Sequence, residues 1–171
     1  MNVALFRHFY DYHFAMNRTI WVQYIIQLSD EAFLQPVDYA HGSVRNQVVH
    51  MMSVDDAWFT EMSGRGVPAW LDPAEFADRA QIRAHWDRVE RDIRDYLANL
   101  RDDQLTDKPF SEGEDQNLLV WQVLLHVANH GTDHRAQLLR TLNDLGVKTG
   151  PQDYIFYVYE RQKNNKANEQ P

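Results

Sequence analysis

Between Leu118 and Leu145 the chain reads LLVWQVLLHVANHGTDHRAQLLRTLNDL, which sets His126, His130 and His134 at four-residue spacing. Residues four apart on an α-helix stack one turn above another on a single face. At 100° per residue Gln137 joins that face, and Asp133 falls on the flank it shares with His126. Leucines and valines occupy the rest of the surface, so the helix needs apolar partners on one side and polar satisfaction on the other. A chain built round such a helix must pack it against further helices or strands, and the remaining sequence offers helices.

From Val3 to Leu28 apolar and aromatic residues recur at helical intervals through Phe6, Phe9, Tyr10, Met16, Ile20 and Tyr24, which predicts a first long helix. His13 reads as a polar group lining its interior side, and neither His8 nor His13 is placed as a ligand, since five-residue spacing does not stack them. Ser29 to Gly42 holds Pro36 and Gly42 without a sustained period and reads as a connection. Ser43 is the expected N-cap of a second helix that places His50 in an apolar stripe with Val54 and Ala57, with Trp58 further round. Ser63 to Pro73 is a glycine- and proline-punctuated loop in which Trp70 is expected to be an anchor. A third amphipathic helix is predicted from about Ala74 to Leu100, with His85 at its surface or rim. The polar stretch Asp102 to Asn117 is a connection whose acids, Glu112, Glu114 and Asp115, lack the regular spacing of a calcium loop. The histidine helix follows, stopping near Gly146, and Tyr154 to Tyr159 forms a last turn or an extended segment.

Four long amphipathic segments without convincing strands define an all-α four-helix bundle. The expected organisation is one domain over residues 1–161 and a polar, disordered tail over 162–171. The chain has 171 residues, no cysteine and a formal net charge of −8. The charge opposes binding to nucleic-acid phosphates, and no basic block with interleaved aromatics offsets it. No apolar run approaches the roughly 20 residues of a membrane span. The N-terminus lacks a signal-peptide pattern, so a cytoplasmic location is expected. Without cysteine there is no disulfide, no thiolate ligand and no protein-borne thiol nucleophile.

Bundle interiors hold metals by projecting ligands from facing helices, and imidazole suits zinc, nickel, copper and iron. An open catalytic site supplies three protein ligands and leaves a position for water or substrate. His126 with His130 and His130 with His134 are both one-turn pairs. His134 lies angularly nearer the packed side defined by Leu124, Val127 and Leu138, which favours His130 with His134 as the inward pair. His126, Asp133 and Gln137 are then candidates for the pocket wall or for orienting a ligating ring.

The segment LLHVANHGTDHRAQLLRTLNDLG resembles the fourth-helix signature of the DinB/YfiT-like metalloenzymes, a His-x-x-x-His pair followed by Arg-Gly-Gln. GSVRNQVVHMMSVDDAWF is similar to that family's second helix with its lone histidine, and the aromatic segments YDYHFAMNRTIWVQY and DYIFYVYE match its style. The resemblance implies metal ligands at His50, His130 and His134. Ala136 stands where the family has glycine after the arginine, and Asp133 where it often has an uncharged or aromatic residue. The family shares its name with an unrelated DNA polymerase, an activity this acidic chain does not support.

What the resemblance implies is a divalent transition metal, zinc or nickel first, and a metal-dependent enzyme acting on a small-molecule substrate. Relatives include transferases and isomerases that use a soluble low-molecular-weight thiol, and hydrolysis is the other chemistry such a centre supports. In a chain without cysteine that thiol would be a cosubstrate. Homodimerisation is common in the family and is expected here. The competing reading is a metal-stabilised or metal-sensing helical dimer without turnover. The reacting groups are not named by the sequence.

Overall fold

The computed structural model describes residues 2–76 and 78–168. Six α-helices succeed one another, and no strand occurs among the described residues. The four long ones are α1 (Val3–Gln23), α3 (Val44–Met62), α4 (Arg79–Asn99) and α5 (Val120–Asp144). Two shorter ones are α2 (Asp30–Leu34) and α6 (Tyr154–Asn168). Helix α3 packs on both α4 and α5, and α1 packs on the same two, so the four long helices surround one core. That core is fully buried at Ile25, Val48, Met52, Ile82, Ile93, Leu124, Leu138 and Leu142, of which Leu124 and Leu138 lie on the side of the histidine helix expected to be packed.

The helix starts follow local chemistry. Ser43 Oγ accepts from Asn46 N at 3.1 Å, which satisfies one of the orphan amides of α3. Asp78 does the same for α4 through Ala80 N and Gln81 N. At the other end of α4, Arg7 reaches across from α1 and donates to the carbonyls of Leu97, Ala98 and Leu100, placing a cation where the helix dipole is negative. Helix α5 ends where Gly146 takes φ +83°, with its amide on Asn143 O and that of Val147 on Leu142 O.

Several boundaries differ from the expectation. Helix α1 stops at Gln23, and Ile25–Gln27 is a 3-10 turn. Ile25 remains fully buried there, so the apolar period runs on although the α-helix does not. The segment read as a connection contains α2, capped by Ser29 on Ala32 N; five residues are too few to show a period. Helix α4 begins at Arg79 because Pro73–Glu75 forms its own 3-10 turn. The stretch 154–159 is helical, and α6 continues through Asn168 into the region expected to be a disordered tail. Residues 169–171 of that tail lie outside the described residues.

Candidate metal centre

Helix α3 carries His50 and helix α5 carries His126, His130 and His134, and the contact between these helices decides which rings meet. His50 Nε2 lies 3.2 Å from His130 Nε2. The His134 ring is 4.1 Å from that of His130 and 4.5 Å from that of His50, centroid to centroid. Three imidazoles on two helices therefore converge. A tetrahedral zinc ion with Zn–N bonds of about 2.0–2.1 Å holds its ligand nitrogens about 3.3–3.4 Å apart, and the His50–His130 separation is close to that edge.

A fourth imidazole joins them from outside the helices. His41, in the loop leading into α3, stacks on His50 with centroids 3.8 Å apart and planes 21° from parallel. Donor nitrogens of His41, His50 and His134 all lie within 4.8 Å of one another. His41 leaves no mark in the sequence pattern because a loop has no period to fix the direction of a side chain. The available signal was its place beside Gly42, one short turn before the helix that bears His50.

Electrostatics suit the cluster to a cation. Burial, followed by repulsion from His41 and His134, pushes the His50 pKa down to about 4. His130 is pushed down to about 3, by burial first and then by His134, His50, His126 and His13. His41 and His134 are lowered as well, burial being the main cause for each. At neutral pH all four rings are thus neutral and carry the lone pairs that a metal needs.

The flanking residues occupy different stations. Asp133 and Gln137 raise the His134 pKa against the effect of burial. Gln137 Nε2 donates to Asp133 Oδ2 at 3.1 Å. His126 is exposed and stands edge-on to Trp58, with its centroid 6.0 Å from that of His130, so it belongs to the margin of the cluster. Gln47, whose role no sequence pattern marks, is fully buried and donates from Nε2 to His134 Nδ1 at 2.8 Å and to His134 O at 3.2 Å. Its Oε1 has no partner. The same Nε2 lies 3.4 Å from Gln137 Oε1, so the amide nitrogen faces three acceptors.

Beneath the cluster lies a polar network that the sequence did not disclose. His13 Nε2 is 3.2 Å from Asp55 Oδ2, and its Nδ1 is 3.1 Å from Arg135 Nη1. His13 thereby links a buried carboxylate on α3 to a wholly buried guanidinium on α5. Arg135 also donates to Asn17, Thr132 and Gln152, so the buried cation is hydrogen-bonded as burial demands. His13 is the interior polar group that its helical position suggested.

A cleft of about 380 Å³ opens beside the histidines, lined by His41, Asn46, His50, Ser53, Trp70, Leu71 and Pro73. Leu71 N donates to Ser53 Oγ at 3.0 Å, which ties the loop down onto α3. Trp70 is 66% exposed at the cleft wall, so it borders the pocket where an anchoring role was expected.

The fold and this cluster define an all-helical protein with a histidine group able to hold a metal ion. The family model described as "DinB family" matches residues 1–167. "Protein DinB" of Bacillus subtilis (strain 168) is 25% identical over 158 residues, covering 88% of this chain and 91% of that protein. The chain belongs to the DinB family.

Proposed function

We propose that this protein is a four-helix bundle of the DinB/YfiT-like type that binds a divalent transition metal, zinc or nickel first, through His50, His130 and His134. The observation that carries the reading is the convergence of these three neutral rings from α3 and α5, with two Nε2 atoms 3.2 Å apart. When bound, the ion supplies a Lewis-acid field that lowers the pKa of a thiol or water brought to it. The chain's own part is to hold the rings neutral and to present the neighbouring cleft to a small molecule. Asp133 and Gln137 adjust His134 from the flank.

The open cleft beside His50 gives a small molecule access to the ion, which favours an enzyme over a sealed metal-stabilised bundle. Transfer or isomerisation with a soluble thiol cosubstrate is the first chemistry to assay, and hydrolysis the second. Zinc and nickel titration of the purified chain should give stoichiometric binding that His50→Ala, His130→Ala and His134→Ala each weaken at least tenfold. Binding that survived all three changes would remove the assignment, and loss confined to His126→Ala would move the site one turn along α5.

A further inference from the structure

We propose that His41 is a fourth protein ligand to the same ion, carried by the loop between α2 and α3, and that it is the ligand an incoming small molecule displaces. The inference rests on the metal-site reading above and adds a residue to it. Two donor sets overlap in the cluster. His50 and His134 share one with His41, all donors lying within 4.8 Å, while His50 also has His130 Nε2 at 3.2 Å. An ion held by the helix-borne rings is therefore within a short side-chain movement of His41, and four nitrogens complete a tetrahedral sphere.

The loop is shaped to deliver this one ring. Ala40 and Gly42, on either side of His41, both take positive φ, +49° and +81°. Alanine disfavours that region because its Cβ crowds the backbone, so the surrounding contacts hold the turn in place. Those contacts are Val37 N on Gly42 O at 2.8 Å and Gly42 N on Tyr39 O at 2.9 Å. The result is a histidine whose ring lies flat on His50 although no helix constrains it.

Position in the cleft separates His41 from the helix-borne ligands of α5. His41 and His50 line the cleft, whereas His130 and His134 are not among its lining residues. A molecule entering from the cleft meets His41 and His50. Of the two, His41 is the ring mounted on a loop, so it can leave the ion without moving a helix. Four nitrogens would then protect the ion at rest, and departure of one would open a coordination position on the side where substrate arrives.

The test uses the full chain with zinc, measured by competition with a chromogenic chelator, and with cobalt(II) as a coordination probe. His41→Ala removes the ring; His41→Phe keeps a ring to stack on His50 but has no donor. Both variants should bind zinc on the order of tenfold more weakly. Their cobalt absorption should change as a water oxygen replaces a ring nitrogen in the sphere, and the metal-free proteins should melt like the parent. Equal affinity and spectra for parent and both variants, with binding still abolished by His50→Ala, would overturn the role of His41 and leave the three-histidine site standing. Loss in His41→Ala alone would also overturn it, because packing would be the cause. A parent that binds neither metal would refute the underlying site itself. Loss in both His41 variants with none in His130→Ala would uphold His41 and replace His130 in the triad.

Discussion

Each histidine of the cluster is kept neutral by its surroundings, and this links folding to pH. His50 and His130 titrate at about 4 and about 3 in the folded chain, below the ordinary 6.5 that they regain on unfolding. Between those limits the unfolded chain binds protons that the folded chain refuses, so stability rises with pH across the window. The metal-free protein should therefore lose thermal stability as pH falls from about 6.5 towards 4.5, above the range in which most carboxylates titrate. His50→Gln and His130→Gln should each flatten that slope in melting curves taken across the pH series. A slope unchanged in both variants would mean that the rings are not desolvated. At this scale the sequence indicated His50, His130 and His134 but not His41, Gln47, Asp55 or Arg135, since neither loop direction nor a polar partner on another helix shows in a one-dimensional pattern.

Helices α1 and α5 meet at Gly131, immediately after His130. A Cβ there would collide with His13 Cε1 and stand 2.7 Å from His13 Nδ1 and 3.2 Å from Arg135 Nη1. Glycine inside a helix ordinarily costs about 1 kcal/mol relative to alanine, and here it makes room for the His13–Arg135 contact. Gly131→Ala should consequently destabilise by about 1–3 kcal/mol despite the better helix propensity, measured by chemical denaturation. A stabilised variant would show that the helices can separate at no cost. The next glycine-like position of the family pattern, Ala136, is exposed in this chain, so alanine is accommodated there without a clash. The elements themselves were largely legible: the four long helices fall where their apolar periods run, and Ser43 caps α3 as its residue type suggested. Helix α2 and the extension of α6 were not, the first being too short for a period and the second having a polar sequence.

At the scale of the molecule, the exposed aromatic and aliphatic side chains of α6, Tyr154, Ile155, Phe156 and Tyr159, stand on one short helix. Four exposed large hydrophobes on one helix are the reason to test for self-association through this surface. We expect light scattering after size exclusion to give the mass of two chains, and Ile155→Lys with Phe156→Lys to shift it to one. A single-chain mass for the parent would count against the homodimer. No described helix is long and apolar enough to cross a membrane.

The all-α class follows from local pattern alone, because helical spacing of apolar residues does not depend on knowing their neighbours in space. The sequence also determined that three imidazoles would share one face of α5. Which of them face another ring depended on how α3 and α5 pack, and the distances that bring His50 to His130 and His134 exist only across that contact. The tertiary structure alone brought His41 in from a loop and set His13 between Asp55 and Arg135. Contacts of that kind join residues far apart in the chain, whose side-chain directions no local spacing encodes.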